Sequence, residues 1–192
     1  MENKISASEF FKCWVINSGE IKNEIYSLWK TKKKELTKLI LDPETGIINN
    51  VASYFNLKNY SYGYGYYYVD SVFYMPDEDR VIFGNQDNTW LRKIRVAIEH
   101  ENNFRYLFTE YCRLIITKTE LKVLISYPIK GDKWKNEINE LKELLADKNG
   151  IQLIKNNSFL LILAFENELK NAFTWRGFVY NKNEWEEVIN YL

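Results

Sequence analysis

The sequence predicts a single α/β domain built on a mixed central β-sheet flanked by helices on both faces. Segments of helical period alternate along the chain with short apolar runs of strand length. A helical segment over 104–117 separates strand-like runs at 94–102 and 121–127, and a crossover of that kind makes its two strands parallel. The strand-like runs before residue 94 are joined by short connections, which predict an antiparallel meander feeding the same sheet. The 192 residues carry no internal repeat and no linker rich in Pro, Ser or Gly, so one domain over 1–192 with a well-buried core is the economical reading.

The elements follow in order. Residues 6–16 have helical period, with Ser8 as the expected N-cap and Phe10, Phe11, Trp14 and Val15 on one stripe. After Gly19 one helix is expected over 19–41, turning Ile21, Ile25, Leu28, Trp29, Leu36, Leu39 and Ile40 inward and stopped by Asp42-Pro43. Residues 43–59 are ambiguous, with a short helix near 47–55 as one reading. The Tyr-Gly alternation of 60–68 reads as an extended segment or loop entering the strand Val69-Asp70-Ser71-Val72-Phe73-Tyr74. A turn at 75–79, a short strand from Arg80 to Phe83 and a loop over 84–92 lead into the run from Ile94 to Asn102. Beyond the 104–117 helix come a strand from Leu121 to Tyr127 closed by Pro128 and an amphipathic helix over 132–147. Strands at 159–165 and 173–180 and a closing helix from Asn183 to Tyr191 complete the chain.

Composition narrows the function classes. Lys plus Arg balances Asp plus Glu at 26 each, so no global field drives the protein onto nucleic acid or membrane; a local basic face remains compatible with that total. An aromatic fraction of 16% implies a bulky core or an aromatic binding surface. Cys13 and Cys112 lie in helical apolar patterns without metal-ligand spacing and read as buried free thiols. No run approaches the ~18 apolar residues of a membrane span, and the N-terminal residues lack a signal-peptide pattern, so the expectation is a cytoplasmic protein with no membrane association.

The feature with most chemistry is the pair Glu99 and Glu101 in the run Ile94-Arg95-Val96-Ala97-Ile98-Glu99-His100-Glu101-Asn102. Side chains alternate across a strand, so the two glutamates share one face, about 6.5–7 Å apart, while Val96, Ile98 and His100 take the other. Two anions that close repel unless a positive group lies between them, and a divalent metal is the simplest such group. A solvent-facing Glu-x-Glu on an antiparallel sheet is the ordinary alternative. It weakens here because the crossover helix implies a sheet covered on both faces, and because Asp70 sits inside another apolar run. His100, the sole histidine, reads as a buried structural residue.

Asp70 followed by Glu99-x-Glu101, on successive strands of a helix-strand-strand-strand-helix-strand order, resembles the PD-(D/E)XK nuclease superfamily. The resemblance covers roughly residues 19–127, leaving 128–192 as a C-terminal elaboration. It implies a restriction-endonuclease-like core and a metal-dependent nuclease that hydrolyses DNA phosphodiester bonds in restriction or defence. Mg²⁺ is the implied cofactor, with Mn²⁺ as an alternative ion, and a homodimer is implied because two strands must be cut. Asp70 and Glu99 map onto the metal-holding acids. Glu101 stands where most of the superfamily has lysine, so it would orient or deprotonate the attacking water or complete a second metal position, and Lys122 on the next strand is a candidate replacement cation. The superfamily often adds an acid from the preceding helix; Glu24, beside the Ile25 and Leu28 stripe, is the choice here. A catalytically silent nuclease-fold module that binds nucleic acid or a protein is the alternative.

Two further segments bear on nucleic acid. Lys30, Lys34 and Lys38 line up at i,i+4 spacing as a phosphate-contacting ridge or as an ordinary solvated helix face. The Tyr-Gly stretch of 60–68 could stack bases or form an aromatic edge strand.

Overall fold

The computed structural model describes residues 5–61, 66–83, 88–128, 131, 133–145 and 154–188. Helix α1 (Ala7–Gly19) is capped two residues before the expected position: Ser6 accepts from the Glu9 amide at 3.1 Å and donates to the Glu9 carboxylate at 2.8 Å. The expected helix over 19–41 is two helices, α2 (Lys22–Thr31) and α3 (Lys33–Leu41), broken at Lys32 with φ −146° and ψ 66°. The break falls in a run of three consecutive lysines, and like charges at i,i+4 weaken a continuous helix there. Asp42 ends α3, its carboxylate accepting from the amides of Glu44 and Thr45 at 3.0 and 2.9 Å. Helix α4 (Ile47–Tyr54) takes up the ambiguous segment.

Next come β1 (Lys58–Tyr60), β2 (Ser71–Tyr74), the single turn α5 (Pro76–Asp79), β3 (Arg80–Phe83), β4 (Asn88–Leu91) and β5 (Ile94–Glu101). A 3-10 turn leads to α6 (Leu107–Ile116), then β6 (Thr119–Ser126), α7 (Lys133–Glu143), β7 (Phe159–Asn167), β8 (Ala172–Asn181) and β9 (Glu184–Val188). Seven strands form one sheet in the order β1-β2-β5-β6-β7-β8-β9. β5, β6 and β7 are parallel and the other pairings antiparallel, so the sheet is mixed and the crossover through α6 joins adjacent parallel strands as expected. β3 and β4 leave the meander as a separate two-stranded hairpin, so part of the expected 84–92 loop is strand.

The C-terminal segment differs most from expectation. In place of a helix over 183–191, β9 pairs with β8 across the two-residue turn Lys182-Asn183, with φ of 47° and 66°. Asn tolerates that left-handed backbone, and Trp185 then packs on Tyr180 and Phe159 with ring centroids 5.6 and 5.8 Å apart. Residues 189–192 lie outside the described residues.

Helices cover both faces. On one, Phe10, Trp14, Ile25, Leu36 and Ile48 pack on Phe73, Val96, Ile98 and Ile125. On the other, Leu107, Tyr111, Trp134 and Ile138 pack on Val72, Ala97, Leu124 and Leu161. Gly177 on β8 permits the close approach of α1, since a Cβ there would meet the Phe11 ring at 2.8 Å. Cys13 is buried and Cys112 half-buried, both unbridged. No helix among the described residues is long and apolar enough to cross a membrane.

Candidate functional site

Strand β5 places Ala97 in the α6 and α7 layer and Val96 and Ile98 in the α1–α4 layer, so alternation sends Arg95, Glu99 and Glu101 toward α6. The register Ser71 to Ile98 and Val72 to Ala97, continued by one residue, sets Asp70 opposite Glu99. Asp70 sits at a bend immediately before β2 rather than inside the strand, and its Oδ2 accepts from the His100 amide at 2.9 Å. Asp70 and Glu99, two of the acids singled out in the sequence, are therefore together.

Glu99 is 0% exposed, and no donor reaches either of its carboxylate oxygens. Burial, then the neighbouring Asp70 and Glu110 charges, push its carboxyl up to about 10. Asp70 is also raised by burial, partly countered by the His100 amide. Without a cation Glu99 stays protonated, and the two neighbouring carboxyls titrate as a coupled pair.

Glu101 is half-buried, its Oε1 accepting from the Asn103 amide at 2.5 Å, and burial raises its carboxyl as well. Ser126 of β6 stands opposite Glu101 and donates to its backbone carbonyl at 2.9 Å. Helix α6 follows β5 after the 3-10 turn, packs on β5 and β6, and carries Glu110. Glu110 raises both Glu99 and Glu101, while Arg113, 2.5 Å from Glu110, favours the ionised forms of Asp70 and Glu99. Sequence reasoning missed Glu110 and Arg113; a Glu-x-x-Arg pair in the helix after the glutamate strand was the available signal. It also missed Lys33, which the break before α3 releases to donate to the Asn102 carbonyl at 3.3 Å and which favours ionised Glu101.

The remaining expected residues lie elsewhere. Glu24 is exposed in the first turn of α2, whose Ile25 packs on the sheet face opposite Glu99, so the structure does not bring it to the pair. Lys122 shares the Glu99 face but pairs with Ala97, four residues or about 13 Å along β6 from Ser126. Its ammonium donates to the Thr117 carbonyl at 2.9 Å, and burial lowers it to about 8. Lys30 forms an ion pair with Glu166 on β7 and lies over the rings of Tyr26 and Trp29. The helix break leaves Lys34 and Lys38, both exposed, on a different helix, so the three do not form one ridge. His100 points to the other face, Nε2 3.0 Å from the Tyr127 hydroxyl, and burial lowers it to about 3.

Among the described residues no group of three or more His, Cys, Asp and Glu side chains is arranged to hold a metal ion. The Asp70–Glu99 pair supplies two hard oxygen donors and a buried carboxylate lacking any partner, which is the donor chemistry a divalent cation completes. No protein-family model matches the chain, and no curated protein or solved structure is similar to it.

Proposed function

We propose that this protein is a divalent-metal-dependent nuclease of restriction-endonuclease-like fold that hydrolyses DNA phosphodiester bonds, in restriction or defence. The observation that carries the reading is Glu99: fully buried, without a donor, and set beside a second carboxylate. A native structure rarely retains an unsatisfied buried carboxylate, and an ion is one of the few things that resolves it. The element order supports the reading, since Asp70 immediately precedes β2, the strand beside the Glu99 strand, and the glutamate strand leads to the crossover helix.

In this reading Asp70 and Glu99 would hold Mg²⁺ or Mn²⁺, with Glu99 in its ionised form. Such an ion would supply Lewis acidity toward a phosphoryl oxygen and lower the pKa of water. Glu101, fixed by the Asn103 amide and raised by burial, accepts a proton from the attacking water. Arg113, 41% exposed at its side chain, offers its guanidinium to the phosphate charge that builds during the reaction. DNA is the partner, and a homodimer would present two such sites to a duplex.

The second reading, a silent nuclease-fold module binding nucleic acid or protein, draws on one observation: two carboxylates rather than three converge at the buried pair. Incubating wild type and Asp70→Asn with plasmid and single-stranded DNA, with Mg²⁺ or Mn²⁺ against chelator, separates the two. Cutting that needs both the metal and Asp70 is the expected outcome. Intact DNA under all metal conditions would assign the silent module.

A further inference from the structure

The segment entering Asp70 is a two-residue hairpin turn. Tyr66 and Val69 exchange both backbone hydrogen bonds, at 2.6 and 3.1 Å, and the two residues between them, Tyr67 and Tyr68, have φ of 49° and 73°. Such turns favour Gly, Asn or Asp because a left-handed backbone crowds a bulky side chain. Among the described residues the other positive-φ non-glycine positions are Asn56, Asn157, Asn171 and Asn183, which follow that preference, and Lys182, which is paired with Asn183 in its turn. The Tyr67-Tyr68 turn has no such residue at either position.

The rings do not compensate by filling the core. Tyr67 and Tyr68 are 72% and 79% exposed. Their base is nonetheless held, because Tyr66 accepts from the Leu91 amide at 2.7 Å through its hydroxyl and packs edge-on against Tyr60, and the turn is followed immediately by buried Val69. Asp70, the next residue, is bonded to the His100 amide. Two solvent-facing aromatic rings on a left-handed backbone thus stand two and three residues before Asp70 in the chain.

We propose that Tyr67 and Tyr68 are a stacking platform for the unpaired bases of a single-stranded nucleic acid threaded past Asp70 and Glu99. This rests on the nuclease reading and gives it a substrate class. Exposed rings gain most from bases with open π-faces, which a duplex hides. Tyr67 rests edge-on against the Tyr66 ring at 4.8 Å, but both turn rings stay open to solvent, and a left-handed backbone kept beneath exposed rings is the signature of side chains held for contact with something else.

The test is fluorescence anisotropy of a labelled oligothymidine of about 20 nucleotides and of a duplex of equal length, in chelator, with the full chain. Tyr67→Gly and Tyr68→Gly are each expected to melt higher than wild type, because glycine relieves the left-handed backbone. Each is also expected to bind the oligothymidine about tenfold more weakly, with duplex affinity changed less than about twofold and Tyr68→Phe retaining single-strand affinity. Unchanged oligothymidine affinity in both glycine variants, a lower melting temperature, or no binding by wild type would overturn the platform. Metal-dependent cutting without single-strand binding would overturn it alone, whereas single-strand binding without any cutting would overturn the nuclease reading and leave the platform standing.

Discussion

Two buried carboxylates face the same side of β5 and are treated in opposite ways. Near its N-terminal end, Asp79 receives the fork of Arg95, Nε to Oδ2 at 2.8 Å and Nη2 to Oδ1 at 3.2 Å, and Met75 adds its amide at 2.8 Å. Glu120 accepts from Arg95 at 3.2 Å and from Lys93 at 2.7 Å, so the network ties the β3–β4 excursion to the main sheet. Four residues along the strand, Glu99 has no donor and two acidic neighbours. The chain builds a counter-charge where a buried acid serves stability. At Glu99 it keeps the cost of an unpaired acid instead, which is expected of a site completed by something that arrives from solution.

Breaking each end separates these roles. Arg95→Met strands Asp79 as an unpaired buried charge and should cost about 3–5 kcal/mol in urea or thermal unfolding. Glu99→Gln removes a carboxyl that folding forces to take up a proton near neutral pH, so without metal it should raise stability, more so as pH rises. Comparable losses in both variants would erase the distinction.

The pH dependence sharpens it with a smaller effect. Glu99 is raised from 4.5 to about 10, so across that interval the native chain holds a proton that the unfolded chain has released. Stability from this group is complete below the unfolded value and falls as pH rises; Asp70, also raised, acts in the same direction. His100, lowered from 6.5 to about 3, contributes stability that is present above 6.5 and lost as pH falls. The wild-type melting temperature should therefore decline toward alkaline pH, and Glu99→Gln should flatten that limb while leaving the acid limb intact. An alkaline limb equally steep in the variant would place the proton elsewhere.

Local pattern made much of this legible and long-range geometry withheld the rest. Alternation alone assigns Glu99 and Glu101 to one face and His100 to the other, and the helix between β5 and β6 dictates their parallel pairing. That Asp70 stands opposite Glu99 depends on the β2–β5 register, which no local pattern carries. The Arg95–Asp79 pair was invisible for the same reason, since it joins residues 16 apart through an excursion outside the main sheet. The Lys32 break and β9 were missed because short charged or aromatic segments satisfy both helix and strand templates, and packing of Trp185 decides the second case. Glu24 was chosen from its helix phase, yet helix phase does not say which sheet face the helix will cover.

The most direct measurement is the thermal midpoint of wild type and Glu99→Gln during Mg²⁺ or Mn²⁺ titration, taken at about pH 8 and about pH 6. The wild-type midpoint should rise with metal, more at the higher pH because protons compete for the same carboxylates, while the variant stays flat. An equal rise in the variant, or no rise in wild type at the higher pH, would contradict a cation site at the Asp70–Glu99 pair.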